Sequence, residues 1–304
     1  MLTLVLPGSG VEVWLPGVVV IAVVVGFLSG LFGVGGGFLL TPVLRIVLGI
    51  PYPIAVGSSL VQISCNSIVS AYKHGRNRNV DFKLGVLLAA GALIGAEEGV
   101  RLHTLLKRTA ALSLFGRSVS PLDMVLNLLF IVLLAGVGLF IILETGRPGH
   151  GELVETRMNL WLRRIRVWPW ASFPKSGLTS YSLWLPLGLS LVVGLLTGLM
   201  GVGGGFISFP LLLYVVGIPT HMAIGTSAFQ ILVAGGYGAL RHGLRGNIDL
   251  LLVALLVPGG FAGVFLGVKA SQVLDGRRIR RYFALVVFLG AALVLWELGR
   301  ELLF

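Results

Sequence analysis

A single cysteine, Cys65, occurs in the chain, which excludes an intrachain disulfide and a thiolate metal cluster. Cys65 lies inside an apolar segment and reads as packing. Charge is also scarce: Asp, Glu, Lys and Arg make up 12% of the residues, where a soluble domain carries about a quarter. The net charge of +11 does not signal nucleic-acid binding, because the Lys and Arg sit in loops between apolar segments and no basic domain exists. No HExxH pattern and no paired carboxylates repeated across helices are present, so the sequence implies no metal, no cofactor and no enzyme. The first residues, MLTLVLPGSGVEVWLPG, lack a basic n-region and predict no cleaved signal peptide.

What the chain has is apolar length. Hydrophobic residues make up 56% and mean hydropathy is +0.97, which predicts an all-α, multi-pass membrane protein. Apolar segments fall at about 17–32, 36–50, 53–72, 84–100 and 122–143, and again at 184–200, 204–217, 221–240, 249–268 and 282–298. The two sets are one repeat. Residues 30–101 align without a gap on residues 198–269, with 31 identities in 72 positions at a fixed offset of 168. Duplication of this kind points to a transporter of two pseudo-symmetric halves, 13–143 and 184–304, each with four to five membrane segments. The intervening 144–183 is a basic linker. Its Trp161, Trp168 and Trp170 among Arg163, Arg164 and Arg166 fit either a short surface helix or a solvated linker.

Charge counting bears on orientation. If every segment crosses once, loops 73–83, 144–183 and 269–281 share a side and carry four, six and five Lys or Arg, fifteen in all. The other side carries four and two, six in all. The positive-inside rule then favours inverted halves, a cytoplasmic linker and the cytoplasmic (inner) membrane.

The segment GVGGGF, placed twice in apolar sequence, marks the candidate site. Gly35, Gly36 and Gly37, and Gly203, Gly204 and Gly205, should break a helix, and Phe38 or Phe206 then opens a new one. A helix N-terminus presents free N–H groups and partial positive charge, so a small anion is the expected substrate. Ser59, Gln62, Ser227 and Gln230 are the polar side chains expected to complete the site. The alternative is a tight turn between packed helices; a phosphate-loop reading fails for want of its lysine and Ser/Thr.

The doubled GxxGVGGGF…P…GIP…AxGxS pattern, about 170 residues apart, resembles the sulfite exporter TauE/SafE family of membrane transporters. The resemblance covers about 20–143 and 184–300. It implies transport of a small sulfur-containing or carboxylate anion, such as sulfite, sulfoacetate or another organosulfonate, and leaves import, export and the coupling ion open. A passive anion channel, a non-transporting scaffold and a homodimer stay open at this point.

Other polar residues carry paired readings. His74 and His242 occupy matched positions and read as gate or proton carrier, or as interfacial loop histidines. Asn79, Asp81, Asn247 and Asp249 read as helix N-caps. Glu97 and Glu98, opposite Phe265 and Leu266, are candidates for proton coupling, against simple pairing with Arg101. Arg45 reads as an anion attractor or a snorkelling side chain. Glycine at every fourth position, Gly91, Gly95 and Gly99 and again Gly259, Gly263 and Gly267, predicts close helix packing.

Overall fold

The computed structural model describes residues 3–110, 112–114, 117–145, 159, 161 and 167–303. Ten helices carry the described fold, and six of them are long and apolar enough to cross a membrane. The first half runs α1 (Leu15–Phe32), α2 (Gly37–Ile46), α3 (Tyr52–Arg76), α4 (Phe82–Arg108) and α5 (Pro121–Thr145). The second runs α6 (Trp184–Met200), α7 (Gly205–Pro210, continued by a π-helical turn Leu211–Val216), α8 (Thr220–Gly243), α9 (Leu250–Val273) and α10 (Gly276–Leu303). With 10 residues, α2 is roughly 15 Å long, half of the ~30 Å hydrocarbon thickness. The helix broken by glycine is therefore short, as the sequence predicts.

Packing follows the glycine faces. A Cβ on Gly91, Gly95 or Gly99 of α4 would strike the α6 backbone, and one on Gly263 or Gly267 of α9 would strike that of α1. In lipid, association rests on such close backbone approach, since burying leucine gains little over lipid tails. Gly95 meets Leu191–Leu195 and Gly99 meets Leu195–Leu199, so α4 and α6 run parallel; α1 and α9 do the same. At the centre, α3 packs on α8. Gly238 lies against Leu60 and Gly235 against Ser64, so this pair runs antiparallel. A fourth pair, α5 with α10, flanks them. The set of pairs is unchanged when α1 to α5 are exchanged, in order, with α6 to α10.

Three short hairpins flank the helices: β1 (Thr3–Val5) with β2 (Glu12–Trp14), β3 (Leu112–Leu114) with β4 (Arg117–Val119), and β5 (Trp170–Phe173) with β6 (Leu178–Ser182). The surface helix expected around Arg163, Arg164 and Arg166 falls outside the described residues. The stretch with Trp170 is a hairpin instead. The cause is local: Pro174-Lys175-Ser176-Gly177 is turn chemistry, with Gly177 in the left-handed region.

Two hairpins do the same task. Asp81 caps α4 by accepting from Leu84 N–H (3.2 Å), and Ser176 donates to its other oxygen (2.7 Å). Asp249 caps α9 by accepting from Leu252 N–H (3.0 Å), and Gly8 N–H donates to its other oxygen (2.7 Å). Both aspartates are thus the N-caps the sequence predicts. The Asp81 and Asp249 amides donate to Thr226 and Ser58 in the opposite half, each at 3.1 Å. Asn247 is not a cap. It accepts from Lys107 Nζ (2.8 Å) and lies 3.1 Å from His242 Nδ1.

Candidate functional site

The two glycine-rich loops meet. Helix α1 ends at Gly33 (φ 66°) and α6 at Gly201 (φ 71°), both left-handed caps. Gly35 and Gly36 continue in the left-handed region at φ 74° and 79°, and Gly203 and Gly204 at 70° and 69°. A β-branched residue cannot hold that conformation without strain, which accounts for consecutive glycines. Helices α2 and α7 then start at Gly37 and Gly205, and their Phe38 and Phe206 stack with ring centroids 5.5 Å apart.

The junction sits at mid-height. The space beside Gly35 and Gly203 is filled by Ile63 and Ile231. Each is the twelfth residue of its helix, in a 25-residue α3 and a 24-residue α8. Gly33–Phe38 and Gly201–Phe206 are all buried. Among the described residues, the amides of Gly35 to Phe38 and of Gly203 to Phe206 donate to no carbonyl or side chain. The first helical bonds come later, to the Gly36 and Gly204 carbonyls. Buried amides without acceptors are rare in folded proteins. Here two sets face one another at the N-terminal, positive ends of two helices.

The predicted side chains divide. Ser59 Oγ lies 3.1 Å from the Gly201 carbonyl and 2.8 Å from Thr41 Oγ1, and Ser227 Oγ donates to the Gly33 carbonyl at 2.9 Å. Each serine therefore ties the opposite half's helix end, and its proton is directed at a carbonyl. Gln62 Nε2 donates to the Leu256 carbonyl of α9 (3.2 Å), while Gln230 Oε1 accepts from Ser208 of α7 (3.0 Å). A small pocket beside Gln230 is lined also by Ser190, Ser208, Leu88 and Val193.

The histidines are buried, so the interfacial-loop reading is corrected. They occupy the last turns of α3 and α8, where His74 Nε2 lies 3.4 Å from the Gly30 carbonyl and His242 Nε2 2.8 Å from that of Gly198. These contacts fill the same place in each half. His103, which the sequence gives no reason to single out, packs edge-on to His242 at 4.8 Å. Glu97 accepts from Arg241 (2.7 Å), Tyr237 (2.9 Å) and Arg101 (2.9 Å), while Glu98 pairs with Arg101 alone (3.0 Å). Arg45 is neither free for an anion nor snorkelling, because it pairs with Asp123 at 2.9 Å. Beside it Tyr52 Oη donates to Asn127 Oδ1. No group of His, Cys, Asp and Glu among the described residues is arranged to hold a metal.

The chain is similar in sequence to known proteins. The sequence model of the family described as sulfite exporter TauE/SafE matches residues 18–294. A probable membrane transporter protein of Xylella fastidiosa (strain 9a5c) is 26% identical over 276 residues, covering 90% of this chain and 92% of that protein. The probable membrane transporter protein YunE of Bacillus subtilis (strain 168) is 24% identical over 290 residues, covering 92% and 96%. The probable membrane transporter protein MJ0441 of Methanocaldococcus jannaschii is 22% identical over 280 residues, covering 88% and 90%. No solved structure matches the chain.

Proposed function

Since this chain belongs to the sulfite exporter TauE/SafE family of membrane transporters, we propose that it is a secondary transporter of the cytoplasmic membrane for a small oxyanion of the sulfite or organosulfonate class, bound between its halves. The observation that carries the reading is the pair of facing, buried loops whose amides have no acceptor. An anion satisfies those donors and meets the positive ends of α2 and α7. Neutral donors let it leave again, as a carrier requires.

The halves are inverted about an axis near the membrane plane, a proposal supported by the antiparallel α3 and α8 and by the fifteen-to-six charge split. The linker then lies in the cytoplasm. Ile63 and Ile231 pack the loop junction shut, so exchange with solvent requires the halves to move apart there. Ser59 and Ser227 hold the loops in place across the halves, and Gln62 and Gln230 border the site from α3 and α8. Coupling to protons is part of the proposal, with Glu97, His74 and His242 as the groups to test.

Purified protein in proteoliposomes, assayed with sulfite, sulfate, thiosulfate, sulfoacetate, taurine and short carboxylates, tests the reading. A carrier gives saturable flux of at least one of them that an imposed proton gradient drives and an uncoupler abolishes. Non-saturable flux indifferent to the gradient would make the protein a channel.

A further inference from the structure

The two halves differ along their central helices. On α3, Gln62, Asn66, Ser67, Ser70 and His74 are each at most 1% exposed, and Ser29 of α1 is fully buried. Each keeps at least one polar atom without a partner: Gln62 Oε1, both amide atoms of Asn66, the Ser67, Ser70 and Ser29 hydroxyls, and His74 Nδ1. Positions 62, 66, 70 and 74 follow a four-residue spacing and share one helix face. The facing α9 carries no side chain at Gly260, and the Asn66 amide packs into that place: a Cβ there would stand 2.5 Å from Asn66 Oδ1.

Their counterparts on α8 are Gln230, Ala234, Gly235, Gly238 and His242, with Thr197 on α6. There Gln230 is bonded to Ser208, Thr197 to the Val193 carbonyl, and His242 contacts partners at both ring nitrogens. The rest are alanine and glycine. One half has a polar stripe with open valences; in the other the polar groups are paired and alanine or glycine stands between them. A buried polar group without a partner costs free energy, and a row of them in a membrane helix marks a face built to meet a polar phase.

The helix ends differ in the same sense. Glu97, Arg241 and Arg101 have Phe265, Lys73 and Lys269 as their counterparts. The first trio is an ionic latch, with Glu97 bound to Arg241 at 2.7 Å and to Arg101 at 2.9 Å. In the second, Lys73 Nζ lies 3.0 Å and Lys269 Nζ 4.6 Å from the Phe265 ring centroid. Neither lysine has an acidic partner among the described residues. Because α3 and α8 are antiparallel, the two trios lie at opposite ends of the central pair.

We propose that the α3 stripe is a one-sided access path, which carries the anion between the glycine loops and a mouth at Lys73 and Lys269, while the α8 end is held shut by the Glu97 latch. From Gln62 to His74 the path covers twelve residues, roughly 18 Å of helix. The hydroxyl, amide and imidazole N–H groups supply donors for an oxyanion along the way. Two lysines that pair with no carboxylate among the described residues raise the local anion concentration at the mouth. The mouth lies on the side of the 73–83 and 269–281 loops, the arginine- and lysine-rich side.

That the passenger is an anion rests on the function proposed above; the path itself does not. In a Cys65→Ser background, single variants Asn66→Cys, Ser70→Cys, Ala234→Cys and Gly238→Cys are treated in oriented vesicles with a small anionic methanethiosulfonate reagent that cannot cross lipid. Asn66→Cys and Ser70→Cys react at least about tenfold faster than Ala234→Cys and Gly238→Cys, and only from the linker side. Equal rates at the matched pairs, or faster reaction at Ala234→Cys and Gly238→Cys, overturn the path. A thermal melt of each variant excludes labelling through unfolding. If the labelling pattern holds and none of the assayed anions is transported, the anion reading fails while the path stands.

Discussion

Helices α3 and α8 align at an offset of 168 residues, and they share Ser59/Ser227, Gln62/Gln230, Ile63/Ile231 and His74/His242. Where they agree, they hold the loop junction: serines on the opposite half's carbonyls, isoleucines between the glycines, histidines on α1 and α6. Where they disagree, at Asn66/Ala234 and Ser70/Gly238, one is polar and unsatisfied and the other apolar. The lesson is that the matched positions agree where the two loops are held and differ along the face that the proposed access path follows.

The first way to break the comparison is at the shared loops. Gly36→Val and Gly204→Val place β-branched residues at φ 79° and 69°, against Val25 in one half and Val193 and Thr197 in the other. Strain and overlap of about 3 kcal/mol translate to roughly a hundredfold loss of flux and binding, the same in both halves. Expression and melting temperature are measured beside flux, so that a folded, inactive protein can be told from an unfolded one.

Next come the packing faces. Gly95→Val and Gly263→Val each drive a side chain into a neighbouring backbone, at Leu191 and Val23 respectively. Both lower stability by about 1–3 kcal/mol, read as matched drops in melting temperature. A large drop in only one would mean that the two helix pairs are not equivalent.

The glutamines sharpen the comparison. Gln230→Leu strips Ser208 of its acceptor and costs about 1 kcal/mol of stability. Gln62→Leu removes a donor to the Leu256 carbonyl together with an Oε1 that has no partner, two effects that offset, so stability changes less than in Gln230→Leu while flux falls by about tenfold. If Gln62→Ala and Gln230→Ala both keep full affinity and flux, neither borders the substrate.

The smallest effect is at the latch. Glu97→Gln weakens a partly exposed ion pair by about 0.5–1 kcal/mol, and added salt erases the difference from wild type. Lys73→Met at the matched place removes a cation–π contact of about the same size, with less dependence on salt. Melting curves at low and high ionic strength separate the two.

Much of this was legible in the sequence. Hydropathy located the ten helices of the described fold, and the glycine triplets located the breaks, because only glycine accepts consecutive left-handed residues. Asp81 and Asp249 were readable as caps because capping is local. The partners of Ser59, Gln62 and Arg45 were not, since each lies in a different element: Gly201, Leu256 and Asp123. The burial of His74 and His242 was missed because both sit within a few residues of charged loops, where sequence predicts water. The Asn66–Ser70–His74 spacing was present but became visible as a stripe only against its apolar counterpart on α8.

The central claim is that an anion binds between the glycine loops, and a structure with selenite, the heavier analogue of sulfite, tests it most directly. Transport-competent protein is soaked at a saturating concentration and the selenium located by its anomalous scattering. The account predicts a peak between the Gly35–Gly37 and Gly203–Gly205 amides, within hydrogen-bonding distance of them and lost in Gly36→Val. A peak elsewhere, with those amides still without an acceptor, would contradict it.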